Sequence, residues 1–315
     1  VTYFMKELTY QTQQKRVSSP WLKKFSRQLV NYSFVLPAAL FLIVFIAYPV
    51  FFNITMSFQD LKAANLLKGG SWVGFDNYQK VLENPIFFKA IRNTLFFTFG
   101  SIFFQLTFGL ALALFYNLEF PGSRWMRGLY LIAWTIPVIV VGAIFRWLLD
   151  GQAGAANWLF VTLGVIKERV SWLSDINLAL PAITSINVWL GIPFNMALLL
   201  AGLQGIPKEL YEAASIDGAS RAAKLRFVTL PLLRPALVAV LLLGLIYTFK
   251  VFDVVWATTQ GGPFNATHLV STLAFEQIFR KFLFGQGAAM LNLLFAVLFI
   301  VSLFYLWNLR HEENN

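Results

Sequence analysis

The sequence predicts an all-α polytopic membrane protein with six transmembrane helices. Of its residues, 58% are hydrophobic and 13% are charged, whereas a soluble domain has about 45–50% apolar and about 25% charged residues. The apolar residues are concentrated in six segments, each long enough to supply the roughly 20 helical residues that cross a hydrocarbon core. Basic residues lie between these segments, as they do in membrane proteins whose loops set the topology.

The predicted spans are residues 32–58, 90–116, 128–149, 178–203, 233–257 and 283–308. Pro137, Pro181 and Pro193 fall inside them and are compatible with membrane helices, because neighbouring groups satisfy the freed carbonyls. The first apolar segment begins about 30 residues into the chain and is too long for a signal-peptide core. We therefore expect a retained anchor and no cleavable signal peptide.

Lys and Arg are more frequent in one alternating set of the segments between spans, namely 1–31, 117–127, 204–232 and 309–315. The positive-inside rule then predicts that both termini are cytoplasmic. The expected organisation is a basic cytoplasmic segment, 1–31, a transmembrane domain, 32–308, and a cytoplasmic tail, 309–315. The net charge of +10 has this topological explanation, so nucleic acid is not an expected partner.

Several chemistries are not expected on this chain. There is no cysteine, and the two histidines, His268 and His311, are far apart in sequence, so we expect no metal site. The spans hold no paired Asp, Ser–Lys or His–Glu arrangement of an intramembrane enzyme. No phosphate-binding loop of the GxxxxGK[ST] type occurs either. We predict a non-enzymatic chain with no catalytic residues.

The loop 204–232 carries charge between two apolar spans and predicts a helical hairpin at the membrane surface. Pro207 suits the first turn of a helix over 208–216, because that position needs no backbone donor. Asp217-Gly218 ends this helix, since glycine accepts a left-handed backbone. Ser220 then caps a second short helix through Phe227. Leu230-Pro231 and Arg234-Pro235 are expected to end that helix and start the fifth span.

The residues of this loop resemble a known motif. Glu212-Ala213-Ala214, Asp217-Gly218-Ala219, Phe227 and Leu230-Pro231 are similar to the cytoplasmic EAA loop of permease subunits in binding-protein-dependent ABC importers. Two further stretches, Thr248 to Asp253 and Gly261-Gly262-Pro263, resemble sugar-importer permeases related to the larger membrane subunit of the maltose importer. The likeness covers about residues 32–308.

This resemblance implies a type I ABC importer permease with a MetI-like core in a bacterial inner membrane. The first hairpin helix would insert into a cleft of an ATPase subunit, with coupling by Glu212, Ala213, Ala214, Asp217 and Gly218. The implied partners are a second homologous permease, two ATPase subunits, an external solute-binding protein, a sugar and membrane lipid. ATP and Mg²⁺ would be bound by the ATPase subunits, and this chain would hold no cofactor.

Polar residues in the spans indicate a solute path, because such residues are costly in lipid. Asn187, Gly191 and Phe194 are at i, i+4 and i+7, on one face of a helix. By resemblance this run matches the sugar-contacting helix of maltose-type permeases, with Tyr247 and Lys250 contributed by the fifth span. Packing of helices through Asn and Gly is the alternative. Lys250 and Asp253 could equally form an i, i+3 salt bridge on one helix face.

The predicted function is ATP-driven import of a sugar or oligosaccharide by alternating access. A polyol phosphate or another polar solute is an alternative substrate. A channel is a further alternative, although a channel would not need a docking hairpin.

Overall fold

The computed structural model describes residues 32–118 and 120–312, which are almost entirely helical. The helices in chain order are α1 (Tyr32–Ser57), α2 (Asp76–Glu83), α3 (Pro85–Tyr116), α4 (Ser123–Thr135), α5 (Val138–Leu148), α6 (Ala155–Thr162), α7 (Ala179–Gln204), α8 (Lys208–Ile216), α9 (Arg221–Phe249), α10 (Asp253–Thr258), α11 (Val270–Phe275) and α12 (Phe284–Glu312). One short antiparallel ladder pairs β1 (Gln59–Asp60) with β2 (Ser71–Trp72).

Helix α1 is apolar along its length, and almost all of its side chains from Tyr32 to Pro49 are exposed. An apolar surface of this size needs lipid or another chain to cover it. The basic segment 1–31 lies outside the described residues. Of the predicted tail 309–315, residues 309–312 continue α12, and residues 313–315 lie outside the described residues.

The packing centre of the remaining helices is the pair α3 and α7, which lie against each other over most of their length. Phe97 on α3 and Ile183 and Ile186 on α7 are fully buried there. Helices α9 and α10 pack around this pair. We call the end of the bundle that carries residues 204–220 the EAA end, and the opposite end the distal end.

The third predicted span, 128–149, is two helices rather than one. Helices α4 and α5 meet at an angle of 95°. Pro137 has no N–H and disfavours a helical backbone at the residue before it, and Ile136 accordingly has a ψ of 129°. Within the described residues there are five long apolar helices, and this bent pair makes the sixth apolar segment.

The fifth span begins earlier than the sequence predicts, and the expected break at Leu230-Pro231 and Arg234-Pro235 is wrong. Helix α9 continues through both prolines. It contains a π turn over Leu225–Thr229, in which the Leu230 N–H donates to the Leu225 carbonyl. A proline ring clashes with the carbonyl four residues before it, and the wider turn accommodates Pro231 without ending the helix.

The loops at the distal end are ordered caps. In the segment between α10 and α12, His268 is 2% exposed, and its Nε2 lies 2.8 Å from Glu276 Oε2. The Lys281 Nζ lies 3.0 Å from the other oxygen of Glu276. Asn93 of α3 donates its amide to the carbonyls of Ala266 and His268, which fixes this cap to the helix core.

The buried imidazole gives this cap a pH dependence. Burial lowers the pKa of His268 below its usual 6.5, although the adjacent Glu276 carboxylate partly offsets the effect. Folding therefore favours the neutral ring, and the opened state binds more protons. The contribution of His268 to the free energy of opening is fully present above about pH 6.5. It decreases as the pH falls, by at most about 1.4 kcal/mol per pH unit for one proton.

We predict that hydrogen-exchange protection factors of residues 259–269 decrease between pH 7.5 and pH 5.5. The His268→Gln variant keeps an amide donor for Glu276 but does not titrate, so its protection factors should be flat over this interval. An equal pH dependence in the variant would show that His268 is not the responsible group.

Candidate functional site

A cavity of about 490 Å³ lies among α3, α4, α5, α7, α9 and α10. Four of the five residues predicted for the solute path line it, namely Asn187, Gly191, Phe194 and Tyr247. The structure thus brings together residues that are about 60 positions apart in sequence, on α7 and α9. We call this space the central cavity.

Helix α7 presents one face to the central cavity despite an internal proline. Its backbone is continuous through Pro193. The Asn195 side chain donates to the Gly191 carbonyl at 2.8 Å. This bond holds the Asn195 side chain against its own helix, one turn from Gly191.

The amide side chains that line the cavity form hydrogen bonds within the protein through their nitrogens, and their oxygens remain as unused acceptors. Asn187 donates to the Ser101 hydroxyl at 2.9 Å, and Gln105 donates to the Asn187 carbonyl at 2.8 Å. Asn187 is 8% exposed, and the bond that its side-chain nitrogen donates packs α7 against α3, as the alternative interpretation of this residue predicts. Within the described residues, no hydrogen bond uses the side-chain oxygens of Asn187, Gln105 or Asn195.

Aromatic rings form another part of the lining. Trp134 and Phe194 have ring centroids 5.3 Å apart and inclined by 32°. Tyr247 is 57% exposed. Aromatic faces beside amide groups suit a ligand that carries both C–H and hydroxyl surfaces.

Lys250 does not line the central cavity. Helix α9 ends at Phe249, and Lys250 is its C-cap with φ −100° and ψ 11°. The ammonium lies 5.4 Å from the centroid of the Tyr247 ring, a cation–π distance. A new helix starts at Asp253, so Lys250 and Asp253 share no helix face. No ion pair joins Lys250 to Asp253 in the described part of the chain.

Sequence reasoning missed the roles of Gln105 and Trp134 in this cavity. Gln105 both links α3 to α7 and lines the space. Trp134 comes two residues before the break at Ile136-Pro137. A proline-interrupted apolar segment is a signal for a binding site in transporters, so this position was accessible from sequence.

Gly191 lies against the side chain of Gln105. A methyl group at Gly191 would overlap the Gln105 side-chain amide, which would have to move. We predict that Gly191→Ala displaces the Gln105 amide and lowers solute uptake at least about tenfold, since overpacking costs about 1–3 kcal/mol. Basal ATP hydrolysis by the assembled importer should be unchanged.

Gly244 supplies the matched control, because it lines the same cavity and a methyl group there would be 3.8 Å from Ile102 Cγ1. Uptake by Gly244→Ala should therefore be close to wild type. Equal loss of uptake in both variants would indicate that cavity volume, and not the Gln105 contact, sets the effect.

The EAA hairpin, which we define as α8 with the first turns of α9, has the predicted turn chemistry. Gly218 has a φ of +76°. The Ala219 N–H donates to the Ala214 carbonyl, and the Gly218 N–H donates to the Ser215 carbonyl, the pair of bonds that defines a Schellman motif. Ser220 accepts a hydrogen bond from the Ala223 N–H at 3.2 Å and caps α9.

The five predicted coupling residues lie at the surface of this hairpin. Four are exposed and Ala214 is half-buried. The Tyr211 hydroxyl lies 3.1 Å from the Thr229 hydroxyl, which connects α8 to α9. The role of these residues in coupling stays a prediction.

The left-handed backbone at Gly218 gives a direct test of this geometry. A side chain there would meet no atom within 4 Å, so backbone strain alone opposes substitution, by about 1–2 kcal/mol. We predict that Gly218→Val reduces transport-coupled ATP hydrolysis, whereas Gly218→Asn retains it because Asn tolerates positive φ. The hypothesis fails if both variants couple equally well.

The fold and these two sites define a class of protein, the membrane-spanning subunits of ABC importers. Residues 105–312 match the family described as the inner membrane component of binding-protein-dependent transport systems. The chain belongs to this family. The predicted fold class is confirmed, and so is the interpretation of the chain as an importer permease.

Several relatives are similar over nearly their whole length. The trehalose/maltose transport system permease protein MalF of Thermococcus litoralis is 35% identical, over 90% of this chain and 94% of that protein. The sulfoquinovosyl glycerol transport system permease protein SmoG of Agrobacterium fabrum is 34% identical, over 88% and 89% respectively. A crystal structure of a bacterial ABC transporter that imports alginate has the same fold, with a TM-score of 0.80, 22% identity and coverage of 93% and 99%.

Proposed function

We propose that this permease passes a neutral sugar or oligosaccharide from an external solute-binding protein through the central cavity by alternating access. The observation that carries the proposal is the composition of that cavity. It combines three amide side chains, from Gln105, Asn187 and Asn195, with the aromatic rings of Trp134, Phe194 and Tyr247.

The chemistry of the lining suits a pyranose. Sugar hydroxyls can donate to the side-chain oxygens of the amides, which no bond within the described residues uses. The C–H face of a sugar ring packs on an aromatic ring. A volume of about 490 Å³ is within the usual range of small-molecule sites, about 300–1,000 Å³.

The charge of the lining favours a neutral solute over a polyol phosphate. Among the described residues that line the cavity, Asp253 is the only ionisable carboxylate and there is no Lys or Arg. A phosphate buried without a cation would lose its hydration with little compensation. The names of the relatives also support carbohydrate transport, since one transports trehalose or maltose and another is a diacetylchitobiose uptake permease of Streptomyces coelicolor.

The same proposal assigns the partners and the topology. The EAA hairpin would dock on an ATPase subunit, which binds the ATP and Mg²⁺, and Leu210 and Ile216 of α8, 42% and 87% exposed, would be covered there. A second permease would complete the transmembrane pathway. Both termini would be cytoplasmic in a bacterial inner membrane. One solved relative supports the external partner, because the alginate transporter was crystallised with a periplasmic protein bound to an alginate pentasaccharide.

The proposal is tested by uptake into proteoliposomes that contain the complete importer and its binding protein. A panel of maltose, trehalose, maltotriose, a polyol phosphate and an amino acid separates the alternatives. Saturable, ATP-dependent uptake of at least one neutral sugar is expected. Transport of the phosphate or amino acid without any neutral sugar would contradict the proposal.

We further predict that Glu212→Lys weakens assembly with the ATPase or removes solute-stimulated ATP hydrolysis, because it reverses a charge on the docking face. Binding of solute by the external protein should persist. Glu209→Lys is the matched control, since Glu209 is also exposed and lies on the same helix. If Glu212→Lys and Glu209→Lys behave alike, Glu212 has no specific contact with the ATPase.

A further inference from the structure

A second polar cavity lies at the distal end of the bundle, with a volume of about 410 Å³. Its walls come from the end of α5 and the loop that follows it, the loop between α6 and α7, and the end of α10 with the loop after it. The polar side chains in this lining are Arg146, Asp150, Ser171, Ser174, Thr258 and Thr259. We call this space the distal cavity.

The walls of the distal cavity are fixed by internal hydrogen bonds. The Asp150 carboxylate accepts from the backbone N–H groups of Ala153 and Gln152 at 2.8 and 2.9 Å, and these bonds lower its pKa. Across the cavity, the Thr259 and Thr267 hydroxyls lie 2.6 Å apart, and Thr267 donates to the Gly262 carbonyl. The site is therefore preorganised before any ligand arrives.

Arg146 provides donors that the protein itself leaves unused. It is exposed in this lining, and within the described residues it forms no hydrogen bond and no ion pair. A guanidinium carries five N–H donors in a fixed plane. The distal cavity is thus lined by the donors of Arg146, the acceptors of Asp150 and the hydroxyl groups of four Ser and Thr side chains.

The distal and central cavities are aligned along the same two helices. On α5, Val138 lines the central cavity and Arg146 lines the distal cavity. Gly142 lies midway between them at i+4, so the three positions share one face and span about 12 Å. On α10, Val254 and Thr258 line the two cavities in the same order.

Close packing separates the two cavities. A methyl group at Gly142 would lie within 2.4 Å of the Ala257 Cβ, so α5 and α10 are in contact at this level. We call this contact the α5–α10 seam. A solute that passes from the distal end to the central cavity along these helices must cross it.

We propose that the distal cavity is an entry subsite for the hydroxyl-rich solute, which occupies it before the α5–α10 seam opens. This inference rests on the proposed function. Hydroxyl groups both donate and accept, and the distal cavity offers both donors and acceptors. An acidic segment of the binding protein would suit Arg146, but it would meet the ionised Asp150 in the same lining.

The absence of cysteine from the chain allows a direct test. Ser174 is exposed in the lining, and Ser174→Cys gives a single thiol in this subunit. The importer, with any partner cysteines replaced, is placed in nanodiscs without nucleotide and without binding protein. The rate of labelling by a charged methanethiosulfonate reagent is measured while maltose is titrated, or trehalose if that is the sugar transported in the uptake assay.

At a sugar concentration about ten times the dissociation constant, the labelling rate should fall about tenfold by mass action. Adding Arg146→Gln should shift this protection to higher sugar concentration, whereas Lys167→Gln, at an exposed position outside the lining, should not. A cysteine at Leu163, which is 65% exposed at the same end, should react at a rate independent of sugar.

Three results would overturn the inference. If Ser174→Cys transports the sugar normally but its labelling is unaffected by it, the subsite does not exist and the proposed function still stands. If protection requires the binding protein and is independent of sugar, the cavity is a protein contact. If no neutral sugar of the panel is transported, the proposed function fails and the entry subsite fails with it.

Discussion

The need to satisfy backbone polar groups away from water governs this structure. A membrane-spanning chain can leave the helical conformation only where other groups replace the lost hydrogen bonds or where a cavity supplies polar surroundings. Two interruptions, at Ile136-Pro137 and at Lys250–Phe252, obey this rule because both adjoin the central cavity. The proline at 231 lies elsewhere, and there the chain keeps its helix by means of a π turn.

Local sequence chemistry was sufficient to predict the EAA hairpin. Its turn depends on Gly218 and its second helix on the cap at Ser220, and each of these preferences acts over a few residues. The apolar spans were equally accessible, because length and composition determine whether a segment can cross a membrane. Helical spacing placed Asn187, Gly191 and Phe194 on one face of α7, and the family resemblance assigned that face to the solute path.

Other features depend on contacts between distant segments and were not predictable in the same way. The link from Gln105 to Asn187 joins residues 82 positions apart, and no local preference specifies it. A salt bridge between Lys250 and Asp253 was one of two possibilities that spacing within a continuous helix allowed, and it does not form because α9 ends one residue before Lys250. The prolines were ambiguous, since Pro137 bends the chain by 95° while Pro193 and Pro235 remain inside helices.

The continuity of α9 has a mechanical consequence. Its 29 residues extend about 43 Å at 1.5 Å per residue, from the hairpin to the rim of the central cavity, as one uninterrupted helix. A tilt of about 10° applied at the hairpin therefore sweeps the far end of this rod through about 7 Å, given that length. A movement of this size at Gly244 and Tyr247 exceeds the thickness of a sugar ring, so a small rotation at the EAA end would suffice to reshape the central cavity.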